Sequence, residues 1–217
     1  MEPVLDAVTG WRAWNLSEDA GSPLLLPSGA GVDTWPRGHP LEARCSVPAI
    51  VRPRRRDHDV PEPSCRCGVY ANRSLDAFSR RRPAWLPPPV IGRVSMWGRT
   101  VEHEQGWRAR FAYPARLRLV CAMCAWVEPG PGVPAVVHGF GRLRYAFCRR
   151  HRGGVEVPDG RRTTVLRTDP EALQARLLDA YSVDLLPLEA IEELFARPAA
   201  LPEPGSKPAI RAVRPAE

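Results

Sequence analysis

Lysine is all but missing from this sequence: Lys207 is the only one among 31 basic side chains, and isoleucine and asparagine are scarce as well. That pattern is what a GC-rich genome writes by codon choice. Arginine content alone is therefore no functional signal, and the net charge of +7 has to be judged by where it falls. Long apolar runs are missing too. The longest, such as residues 23–27 and 133–137, fall far short of the roughly 20 residues that span a bilayer. The opening MEPVLDAVTG has neither a basic nor an apolar signal region, so it reads without a secretion signal and the expected compartment is the cytoplasm. The chain also lacks a phosphate-cradling glycine loop, a nucleophile elbow, a His-Glu-x-x-His helix and a deaminase-type His-x-Glu with Pro-Cys-x-x-Cys. Those absences argue against the common nucleotide-hydrolysing, esterase, metalloprotease and deaminase chemistries.

Proline and cysteine are what the chain does have. Its 25 prolines in 217 residues are about twice the usual share and forbid long helices over most of the length. Charge is uneven. Residues 1–36 carry one basic and five acidic side chains, residues 37–118 seventeen and seven, residues 119–168 eight and three, and residues 169–217 five and nine. A basic middle is thus flanked by acidic ends.

Strand signals dominate the middle. Residues 11–16 read as a short strand, followed by a Gly/Pro/Ser-rich stretch to about Pro40 and an irregular loop over 45–67; residues 72–78 read as a short helix or turn. Residues 90–101 are rich in strand formers, and 102–106 can turn the chain. In 107–113, Trp107, Ala109, Phe111 and Tyr113 alternate with Arg108 and Arg110, which places the aromatics inward and the arginines outward. Residues 116–121 and 142–147 alternate in the same way. Further on, Thr168-Asp-Pro-Glu171 is a capping box. It opens a helix with Leu173, Leu177, Leu178 and Tyr181 on one face, and Ile191, Leu194 and Phe195 mark a second short helix after Pro187. The expected fold is α+β: a small antiparallel sheet or barrel with zinc-bound loops and two C-terminal helices. The expected organisation is an N-terminal strand and loop over 1–36, a zinc-stabilised β domain over 37–167, C-terminal helices over 168–197 and a disordered tail over 198–217.

The sharpest motif is Cys121-x2-Cys124 followed by Cys148-x2-His151. Zinc takes four tetrahedral ligands, and each pair sits at the end of a strand-like segment, as in zinc ribbons and treble clefs. His138 competes as the fourth ligand, and spacing favours His151. A second cluster, Cys65-Arg-Cys67-Gly68, has Cys45 as third ligand and His58 as fourth, with His39 the alternative. Clustered thiols in a reducing compartment are more often metal ligands than disulfides. All six cysteines and two histidines then close as two Cys3His sites. With no open position, both read as structural rather than catalytic.

Two arginine runs complete the inventory: Arg54, Arg55 and Arg56, and Arg80, Arg81 and Arg82 with Trp85. Arginine beside an aromatic suits phosphates and stacked bases. Trp35, Trp85 and Trp97 are either stacking surfaces or core fillers, with core the better reading for most. His103 between Glu102 and Glu104 has the makings of a proton-transfer group, but no nucleophile or oxyanion arrangement accompanies it.

The stretch Cys45 … His58 … Cys65-Arg-Cys67-Gly-Val-Tyr-Ala resembles a family of proteins from high-GC bacteria to which no activity is assigned. So do Ile91-Gly-Arg-Val-Ser-Met-Trp-Gly-Arg99 and Glu102-His-Glu-Gln-Gly-Trp-Arg-Ala-Arg-Phe-Ala-Tyr-Pro114. The likeness covers roughly residues 11–155. It implies a shared domain and supports His58 as the partner of the upstream cysteines, and it carries over no catalytic residue. The sequence thus points to a zinc-stabilised binding module that contacts nucleic acid through an arginine-rich face. The alternatives are an adaptor that docks a protein partner through its acidic C-terminal helices, and an enzyme built on the His103 hairpin.

Overall fold

Two strands of fourteen residues, Val90–His103 and its partner across a two-residue turn, form the long hairpin on which the rest is built. The computed structural model describes residues 7–19, 21–27, 34–45, 58–79, 87–156, 160–196 and 211–212. In chain order the strands are β1 (Val8–Asp19), β2 (Ser22–Pro27), β3 (Leu41–Glu42), β4 (Val69–Asn72), β5 (Val90–His103), β6 (Gly106–Leu119), β7 (Val136–Phe140), β8 (Leu143–Phe147), β9 (Val155–Glu156), β10 (Thr164–Val165), β11 (Asp184–Leu185) and β12 (Arg211–Ala212). The helices are α1 (Asp76–Ser79), α2 (Ala122–Trp126), α3 (Pro170–Tyr181) and α4 (Glu192–Ala196), with single 3-10 turns at Arg149–His151 and Glu189–Ile191. The fold is α+β, as the sequence pattern predicts.

Ten strands make one sheet, antiparallel except for the β11–β6 pair. Strand β1 pairs with β5, β5 with β6, β6 with β4, and β4 returns to β1 through Trp11 and Asn72. The pairings therefore close on themselves. Gly106 permits the closure, because a Cβ there would lie 2.0 Å from the Ala71 carbonyl oxygen on β4. Strand β2 falls in a stretch that composition marks as loop. Its prolines at positions 23 and 27 are tolerated because it pairs with β1 alone, at the sheet edge.

The sheet is a wall between two apolar cores. Trp14 and Leu16 of β1, Val90, Val94 and Met96 of β5, Leu117 and Leu119 of β6 and Ala146 of β8 face one core, which α3 covers with Leu173, Leu177 and Tyr181. Ala13, Ile91, Tyr145 and Phe147 face the other, with Val120 beyond β6, and there Ile191, Leu194 and Phe195 close over Cys121, Cys124 and Cys148. Period-2 alternation in a strand buried on both sides produces this split.

The alternation in β6 does not run as its sequence suggests. Ala109 and Ala112 are fully buried, Arg108 is 7% exposed, and Phe111 and Tyr113 are only half-buried. Two register shifts against β5, at Arg93/Val94 and Trp97/Thr100, reset the faces. Small alanines fit the tight interior of the closed pairing, while Phe111 stacks on Trp97 outside it, with ring centroids 6.2 Å apart. The α3 start also differs by one residue. Its N-cap is Asp169, whose side chain accepts the Ala172 N–H at 2.9 Å. Pro170 holds the residue before it out of the helical region, so Thr168 cannot cap.

Candidate metal centres

The downstream cluster is assembled by two strand ends. The β6 chain runs through Val120 into Cys121, which N-caps α2 and so places Cys124 one turn along. The β8 chain runs into Cys148, which N-caps the 3-10 turn carrying His151. All four side chains are buried, none more than 2% exposed. Cys124 Sγ lies 3.7 Å from Cys148 Sγ, and His151 Nδ1 lies 3.4, 3.5 and 3.3 Å from the sulfurs of Cys121, Cys124 and Cys148. A tetrahedral ion with metal–sulfur and metal–nitrogen bonds of the zinc type requires separations of about 3.8 Å between sulfurs and about 3.6 Å from sulfur to nitrogen. The observed spacings fit that ion, and no disulfide forms, since all six cysteines are free.

Two further residues shape this site. His151 Nε2 is hydrogen-bonded to the Glu128 carboxylate, which turns Nδ1 toward the sulfurs. A Cβ at Gly130 would stand 2.5 Å from Cys124 Sγ, so only glycine leaves room for that sulfur.

The upstream cluster draws Cys45, His58, Cys65 and Cys67 together, with all four ligand atoms within 4.8 Å of one another. Cys45 Sγ is 3.8 Å from Cys65 Sγ, and His58 Nε2 is 3.3 Å from Cys67 Sγ. The Glu62 N–H points at Cys67 Sγ at 3.5 Å. Arg108 of β6 secures the loop from beneath. Its guanidinium donates to the carbonyls of Cys67 (3.1 Å), Glu62 (3.5 Å) and Cys65. The sequence offered no sign of this, because Arg108 falls in the alternation as an outward residue.

Without a cation, each cluster is electrostatically awkward. The hydrogen bond from Cys121 and then burial push the Cys148 thiol up to about 12. Burial, then the neighbouring Cys65 and Cys45, raises Cys67. Burial opposes ionisation of Cys65, but bonds from the Cys67 backbone and from the Cys67 and Cys45 thiols outweigh it and bring Cys65 to about 7. Burial also opposes a charged His151, yet its bonds to Cys121 and Glu128 carry it up to about 9. Three sulfurs this close cannot all ionise unless a positive ion sits among them. Both Cys3His groups can hold such an ion.

The competing ligands lie elsewhere. His138 is buried but spends its nitrogens on the Thr163 hydroxyl and the Arg152 carbonyl, each at 3.0 Å. His39 is outside the upstream group. His103 ends β5 with its ring 5.9 Å from that of Tyr70, while Glu102 is held by Arg73. Trp35 is fully buried and Trp97 half-buried. Arg54, Arg55, Arg56, Arg80, Arg81, Arg82 and Trp85 lie outside the described residues, as does nearly all of the 198–217 tail. Among the described residues no helix is long and apolar enough to cross a membrane. The chain matches no protein-family model, no curated protein and no solved structure.

Proposed function

We propose that the protein is a zinc-stabilised binding module of a reducing compartment such as the cytoplasm, and that it contacts nucleic acid through its arginine-rich middle. The observation that carries the metal reading is the set of sulfur–sulfur and sulfur–nitrogen separations in the two Cys3His groups. Three thiolates and an imidazole are the donor set that zinc favours. Four protein ligands leave no position for substrate, so the two ions act as staples. They fix the ends of β6 and β8 at one site and the Cys65–Cys67 loop against β6 at the other.

The nucleic-acid reading rests on the seventeen basic side chains of residues 37–118 and on arginine–aromatic pairs among the described residues. Arg93 lies over Trp11 at 4.6 Å and Arg73 over Trp107 at 5.0 Å. Binding of short DNA and RNA measured across a salt series tests it. The reading predicts affinity that falls linearly in log–log form with salt; no binding, or binding indifferent to salt, contradicts it.

The adaptor reading has less to work with. Ile191, Leu194 and Phe195 are buried over the downstream centre, which leaves Glu189, Glu192 and Glu193 as the outward groups of that segment.

A further inference from the structure

Across the sheet from the downstream centre, the core around Trp35 is short of hydrogen-bond acceptors. Four buried N–H groups there have no partner: Nε of Arg12, Nε1 of Trp14, Nε1 of Trp35 and Nε of Arg37. Three of them meet at the Trp35 ring, and Arg37 is close to it in the chain. The Arg12 guanidinium lies 5.2 Å over the Trp35 ring, and Trp14 meets that ring edge-on at 5.5 Å. Arg37 follows Trp35 by two residues, and its charge acts on Tyr181, whose hydroxyl donates to the Trp35 carbonyl at 2.9 Å.

Indole and guanidinium nitrogens donate and cannot accept, so the four cannot satisfy one another. Asn15 Oδ1, also unpartnered, falls on the other face of β1 by strand alternation. Two of the four groups belong to cations, yet among the described residues no carboxylate pairs with Arg12 or Arg37. Arg12 does donate through Nη1 to the Tyr70 carbonyl, which leaves its charge uncompensated. Burial pushes Arg12 down to about 10, a measure of how poorly the protein alone solvates it. The four nitrogens are themselves buried; Trp14 and Trp35 are sealed, while the Arg12 and Arg37 side chains are partly accessible, so the way in from solvent is past the arginines.

We propose that this donor-only neighbourhood is a binding site for a phosphate-class oxyanion, held by the guanidinium groups of Arg12 and Arg37 and the indole N–H groups of Trp14 and Trp35. Two guanidinium charges match a phosphate dianion, and its oxygens accept every N–H that is left over. The proposal is independent of the metal reading. It also does not require the chain to bind nucleic acid, because free phosphate and the terminal phosphate of a strand present the same oxyanion.

The test uses the full metal-loaded chain. Thermal unfolding is followed in rising inorganic phosphate against sodium chloride of equal ionic strength, and tryptophan fluorescence is titrated in parallel because two indoles line the site. The proposal expects Tm to climb with the logarithm of phosphate concentration, a saturable fluorescence change, and at least a tenfold loss of affinity in Arg12→Gln and Arg37→Gln. If Arg12→Gln does not fold, Arg37→Gln and the wild-type titration decide. A 5′-phosphorylated oligonucleotide and its 5′-hydroxyl counterpart form the second arm. Competition with inorganic phosphate by the phosphorylated strand alone supports the site and makes a strand end its source; binding of inorganic phosphate alone supports it with a small-molecule source. No response beyond the chloride control in either arm, or full affinity in both variants, overturns it and assigns the four donors to buried water.

Discussion

Glu128 and His151 face each other at the edge of the downstream centre, the carboxylate bonded to Nε2 while Nδ1 stands among the three sulfurs. Arg150 reaches the other carboxylate oxygen at 3.5 Å. A partner on the outer nitrogen fixes the tautomer and the ring orientation of a metal-binding histidine. Glu128→Gln is therefore expected to weaken zinc at this site about 10- to 100-fold and to leave the upstream site unchanged. Competition with a chromophoric chelator reads both; equal affinity in variant and wild type contradicts the role.

Arg108 is expected to matter as much to the upstream centre. Arg108→Met keeps the apolar stem but strips the loop carbonyls of Cys65 and Cys67 of their charged donor. The expected cost is about 3 kcal/mol in urea unfolding, the scale of one or two hydrogen bonds to a charged group. Early loss of the upstream metal should accompany it. An unaltered unfolding midpoint would show that water replaces the guanidinium without cost.

The two centres should lose metal in a fixed order. Every downstream ligand is sealed, whereas Cys45 and His58 are partly exposed. Under a strong chelator the upstream ion should leave first, followed by native mass spectrometry as a step from two metals to one. The Cys148→Ser variant should reverse the order and be far less stable, since a structural zinc site contributes on the order of 10 kcal/mol. Simultaneous loss of both ions would show instead that the centres unfold as one unit.

Acid should weaken the link between the sheet and α3. Burial opposes ionisation of Glu18, but Arg144 and Arg176, each at 2.9 Å, outweigh it and hold the carboxyl below its usual 4.5. A depressed carboxylate contributes stability that is fully present above the unfolded-state value and is lost as pH falls through the lower folded-state value. Glu18→Gln should therefore destabilise most at neutral pH, and the difference from wild type should vanish in strong acid. A difference that does not change with pH would contradict the linkage.

Much of the candidate sites was legible in the sequence because metal ligation leaves a spacing signature. Cys121-x2-Cys124, Cys148-x2-His151 and Cys65-x-Cys67 are local, and local pairs survive any uncertainty about the fold. The long β5–β6 hairpin was legible for the same reason. Arg108 and Gly130 were not, since their roles depend on which loop lies across which strand. Arg108 is buried because the Cys65–Cys67 loop lies over its face of β6, and Ala109 and Ala112 are buried because the pairing closes, which no alternation reveals. The donor-only neighbourhood of Trp35 was invisible for a related reason: Arg12, Trp14 and Arg37 look like an ordinary mixture until β1 and the chain after β2 bring them together. A glutamate between the two ligand pairs, such as Glu128, is the one signal that a reading of the sequence had within reach.

The proposed zinc staples at two sites are the premise on which the predictions about the metal centres depend. Elemental analysis combined with native mass spectrometry of the purified full-length chain tests it most directly. Two zinc ions per chain are expected, with one remaining in the Cys148→Ser variant and one in the Cys67→Ser variant. A wild-type chain that is folded and carries no metal would contradict it.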